Sequence, residues 1–110
     1  MLPLKRAPEY KHKVRAYAHD LAGRYGPDVA DAFLRRVKAE EKLIHDNNYV
    51  GTTVPYILAG EKVTLKECYF DSGPAKYCLI YDILKDCVAL LSLWHGTGSR
   101  NDGILIRLWE

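Results

Sequence analysis

The 110-residue chain is short of the residues that staple or anchor a small protein. Its three cysteines, Cys68, Cys78 and Cys87, are an odd number with no CxxC pair. That argues against a disulfide framework or a zinc knuckle and leaves buried free thiols in a reducing compartment. The histidines are scattered at 12, 19, 45 and 95, without HExxH and with none beside a cysteine, so neither a metal nor a cofactor is expected. Gly96 and Gly98 lack the lysine and following helix of a phosphate-binding loop. No apolar run approaches the ~20 residues of a membrane span. The opening MLPLKRAPEYKHK is charged and has no signal-peptide core, so a cytoplasmic location and no membrane partner are expected. Internal repeats, linkers and low-complexity stretches are missing too, which leaves one domain over residues 1–110.

What is present is ordinary globular material, 48% hydrophobic and 27% charged, enough to bury one core. The net charge of +2 neither demands nor excludes nucleic acid. Residues 2–6 allow a short first strand. From Pro8 to Tyr25, Tyr10, Val14, Tyr17, Ala18 and Leu21 recur at spacings of three and four, predicting a helix over 8–25. Gly26-Pro27 ends it and opens a second helix over 27–46, with Asp28 and Asp31 near its positive end. Val29, Ala30, Phe33, Leu34, Val37, Leu43 and Ile44 are its expected buried face, and Arg36 and Glu40 stand four apart as an exposed pair. So short a link predicts an antiparallel hairpin.

The stretch NNYVGTTVPYILAG reads as a loop with one short turn of helix. Strands are then expected over 61–70, 76–84 and 87–95, with turns at Asp71–Pro74 and Lys85-Asp86, and an extra edge strand over 104–109. The last two long runs are apolar on both faces, which places them centrally with helices over one side. The reading is α+β: a helix hairpin on a 3–5 stranded, mainly antiparallel sheet.

Three stretches carry a resemblance. The opening LKRAPEY is followed by HDLAGRYGPDVADAFLRRV, and later comes KYCLIYDILKDCVALLSLWHG, with Arg100 just beyond. In this order, over about residues 2 to 100, they resemble the RelE/ParE superfamily of toxins from bacterial type II toxin–antitoxin modules. Ala7-Pro8-Glu9-Tyr10 stands where the family has Ser-Pro-Glu-Ala. The resemblance implies growth inhibition, neutralised by a cognate antitoxin in a hetero-oligomer. The target is either DNA gyrase, poisoned by binding, or mRNA cut in the ribosome. The chain departs from the pattern at Glu61-Lys62-Val63-Thr64, where an arginine is usual, in its longer HGTGSR corner, and in continuing through NDGILIRLWE.

Under the RNA endonuclease reading, His95 is the general acid or base and Arg100 the phosphate clamp, with Lys62 and Lys66 adding charge. Residues 1–25 carry a local +4, which leaves −2 for the rest, including the strands. RNA affinity rises with phosphate neutralisation, so this balance tips the reading toward gyrase. Tyr10, Tyr17, Phe33 and Trp109 are the apolar residues expected to meet the antitoxin. Tyr77, Tyr81 and Trp94 read as core. A non-toxic binding module of the same fold, and a nucleic-acid-binding protein using a Lys5–Arg15 face, are the competing readings.

Overall fold

The computed structural model describes residues 1–96 and 105–108. A short strand β1 (Leu4–Arg6) leads into helix α1 (Pro8–Tyr25) and helix α2 (Pro27–Asp46). Both helices open on a proline, whose fixed φ and missing N–H suit a first turn, with Glu9 or Asp28 following at the positive end of the dipole. Gly26 makes the whole link. Its φ of +96° is a conformation that side chains resist, and its N–H closes α1 on the Ala22 carbonyl at 3.0 Å.

Five further strands follow: β2 (Thr52–Leu58), β3 (Glu61–Ser72), β4 (Ala75–Ile83), β5 (Val88–His95) and β6 (Leu105–Arg107). They form one sheet with β1, in the order β1-β5-β4-β3-β2-β6. Only the β1–β5 pairing is parallel. The fold is therefore α+β with the helices on one side, but the sheet has six strands, beyond the three to five expected. The surplus comes from TTVPYIL, expected to be loop. Val54 and Tyr56 of this strand are buried in strand alternation, and Pro55 stands near the short β6 at the sheet's margin, where its missing N–H is tolerated. The extra C-terminal strand exists, over 105–107, and it forms the edge as expected.

Backbone alternation sorts the sheet into two faces. Phe70, Tyr77, Leu79, Tyr81, Val88, Leu90 and Leu93 meet Tyr10, Phe33, Val37 and Ile44 of the helices. On the helix-free face Val54, Tyr56, Leu65, Cys78, Ile80 and Leu105 form a second buried cluster. Ile80 pairs with Ser92 and Tyr81 with Leu90, so Leu91 is an unpaired bulge residue that lets β5 keep both sets inward.

The expected buried face of α2 needs correction. Ala30, Phe33, Val37 and Ile44 are buried, but Val29, Leu34 and Leu43 are exposed flanks. Their places inward go to Glu40 and Glu41, at 3% and 7% exposure. Arg36 does bond Glu40 at 2.9 Å, though on a buried carboxylate rather than as a surface pair.

Candidate functional site

The carboxylate of Glu67, in the middle of β3, lies on the helix-free face. Val63, Leu65, Glu67 and Tyr69 share that phase of the strand, so a charge occupies an apolar position. Three side chains converge there. Tyr56 donates to Glu67 Oε2 at 2.5 Å, Tyr69 to Oε1 at 3.1 Å, and Arg107 Nε to Oε2 at 2.7 Å with its Nη2 3.4 Å from Oε1. The Glu67 side chain is 2% exposed and that of Arg107 17%. Each is satisfied as a buried charge must be. The hydrogen bond to Glu67 holds Arg107 further above its already high range. Ser92 Oγ and Trp94 Nε1 are buried on the same face without a hydrogen-bond partner among the described residues. The Trp94 ring is capped by Lys13 Nζ, 3.6 Å from its centroid.

Alternation also sets the charge of this face. Glu61, Glu67, Asp71 and Asp82 lie on it, against Lys76, Arg107 and Lys5, whose neighbours Leu4 and Arg6 turn toward the helices. Lys76 is paired with Asp71 at 3.0 Å and Arg107 with Glu67. With Lys13 over Trp94, four cations stand against four acids among the described residues of this face. Glu67 has its acceptor sites filled by two phenols and a guanidinium, so it offers no base for proton abstraction. The arrangement is a buried, charge-compensated cluster in which Tyr69 alone is exposed.

The residues expected to act are not gathered there. His95 ends β5 on the opposite, helix-side phase: its backbone N–H donates to Tyr17 Oη at 3.1 Å, and its ring lies 5.2 Å from Tyr77 and 6.3 Å from Tyr17. No carboxylate among the described residues orients the exposed imidazole. Lys66 pairs with Tyr81 and His95 with Tyr77, four residues along β4, or about 13 Å of strand. Lys66 Nζ is instead spent on Thr53 Oγ1 at 2.8 Å. Lys62 is exposed and lines a shallow cleft of about 610 Å³ with Tyr56, Val63 and Asp82. Arg100 and Trp109 lie outside the described residues.

Two of the aromatics expected to meet an antitoxin belong to the core. Phe33 is 0% exposed under the sheet, and Tyr10 is 1% exposed with its hydroxyl bonded to Glu41 Oε2 at 2.6 Å. An amphipathic stripe buries its aromatics against its own sheet first, so neither offers surface. Tyr17 is half-buried, edge-on to Tyr77 at 5.7 Å. The cluster around Glu67 was missed, although one signal was visible: a glutamate in phase with Val63, Leu65 and Tyr69. Arg107 carried no such signal, because its partner is forty residues away in sequence. The chain matches no protein-family model and no curated protein.

Proposed function

We propose that the chain is the toxin component of a type II toxin–antitoxin module, acting on DNA gyrase by binding and held inactive by a cognate antitoxin. The supporting observation is where the family-like words fall in the fold. Ala7-Pro8-Glu9 is the hand-over from β1 to α1, and KYCLIYDILKDCVALLSLWHG is the β4–β5 pair in the sheet. The charge of the helix-free face supports a protein target, since among the described residues its acids and cations balance and two of the cations are already paired, which leaves no positive field to gather phosphates.

Expression of the chain alone in a bacterium is the test. Growth is expected to stop, with altered DNA supercoiling, SOS induction and intact mRNA, and His95→Ala is expected to remain toxic. Loss of mRNA, relieved by His95→Ala or Arg100→Ala, would replace gyrase with the ribosome as target. Undisturbed growth with the chain soluble would overturn the toxin reading itself.

A further inference from the structure

Two basic stretches separated by about two dozen residues meet on the helix layer. Lys11 and Arg15 lie one turn apart on α1, facing Lys38 and Lys42 on the second half of α2, with Arg6 of β1 between them. Together they line two adjoining clefts of about 360 and 400 Å³, which share Arg6, Lys38 and Glu41. Glu41 is the single carboxylate lining them. It is buried and already held by Arg6 at 2.6 Å and Tyr10 at 2.6 Å, so it spends its charge inward. Elsewhere the same helices neutralise their cations one turn apart, as Arg24 with Asp20 and Arg36 with Glu40, and at the margin of the patch Lys42 is paired with Asp46 in the same way. Lys11, Arg15 and Lys38 are exposed and make no ion pair among the described residues. With the chain at only +2 overall, this end of the molecule is strongly positive and the remainder slightly negative.

We propose that this patch binds the phosphate backbone of a nucleic-acid duplex. Its chemistry suits phosphates that recur along a backbone: separate exposed cations on two neighbouring helices, with guanidinium and ammonium heads free to bond oxygens. It suits single strands less, because Tyr10 is 1% exposed and the partly exposed ring of His45 stands alone in the clefts as a surface for a base to stack on. It does not suit an acidic amphipathic helix: Val37 is 3% exposed and Leu34 only 36%, too little open apolar floor for a helical stripe to bury. The inference does not depend on the toxin reading.

The test is anisotropy of a short labelled duplex of mixed sequence, titrated with the whole chain over a range of salt. Three phosphate contacts predict a slope of log K on log salt of about −2.7, at about −0.9 each. The triple variant Lys11→Ala, Arg15→Ala, Lys38→Ala is expected to lose at least about tenfold in affinity at low salt and most of the slope. Arg15→Gln, which keeps helix propensity, is expected to reduce the slope by about one should the triple variant be poorly folded. The control Lys76→Ala, on the opposite face of the sheet, is expected to leave both values unchanged. Equal losses in control and triple variant would overturn the proposal, as would a flat salt response. So would tighter binding of a single strand, or of an acidic amphipathic peptide, than of the duplex.

Discussion

Glu67 shows what a single residue does when a strand carries a charge on its apolar phase. Its carboxylate is sheltered among Tyr56, Tyr69 and Arg107, and each of these loses its acceptor if the charge goes. Removing one partner of a buried ion pair leaves the other uncompensated, which costs about 3 kcal/mol or more. Glu67→Leu is therefore expected to lower the urea midpoint by that equivalent. Asp20→Asn, in the exposed Arg24 pair, is expected to leave the midpoint where it is. Equal midpoints for the two variants would mean that Arg107 finds other stabilisation at no cost. The same logic, applied to Glu40 and Glu41 on α2, explains why they are inward: Arg36, Cys68, Arg6 and Tyr10 are waiting for them.

At the scale of elements, the joint between α2 and β2 depends on Gly51. The Tyr81 hydroxyl donates to the Asn48 carbonyl at 2.8 Å and accepts the Gly51 N–H at 2.9 Å, stapling the loop to the core. A Cβ on residue 51 would lie 2.8 Å from that hydroxyl and 2.9 Å from the Glu67 carbonyl, too close for either to remain in place. Gly51→Ala is expected to cost about 1–3 kcal/mol through overpacking and the lost staple. Gly23 is the converse case: it lies inside α1, with nothing within 4 Å of an added Cβ. Gly23→Ala is expected to stabilise by about 0.5–1 kcal/mol, because alanine loses less backbone freedom on entering a helix. Thermal melts of the two variants should move in opposite directions, and movement in the same direction would contradict this account of the loop.

For the molecule as a whole, burial of acid protons makes stability depend on alkali. Burial, aided by its hydrogen bond to Glu40, pushes the Cys68 thiol up to about 12. Burial is also the first cause of the raised values of Tyr10, Tyr77 and Tyr81. In the unfolded chain these groups ionise from about pH 8.5 for the thiol and about 10 for the phenols, whereas the folded chain keeps the protons. The stabilisation is complete below those values and is lost as pH rises toward the folded ones. Each ionising group steepens the loss by about 1.4 kcal/mol per pH unit. Urea midpoints are expected to be level near neutrality and to fall from about pH 9, with the onset delayed in Cys68→Ala. A midpoint that holds level to pH 11 would show that these protons are not retained on folding.

Local pattern was enough to write the frame of this protein. Tyr10-Val14-Tyr17-Leu21, the two helix-opening prolines and the alternation of Val63 and Leu65 depend on neighbours a few residues away, so the helices and three long strands were legible. What the sequence could not say is which elements share an edge, because pairing is a matter of distant partners. TTVPYIL became a strand only because β3 and β6 lie on either side of it. Two basic stretches became one patch only because a one-glycine link folds α2 back along α1. Glu67 met Arg107, and His95 turned away from Lys66, through sheet register, which is set by the summed burial of both faces rather than by any short run of residues.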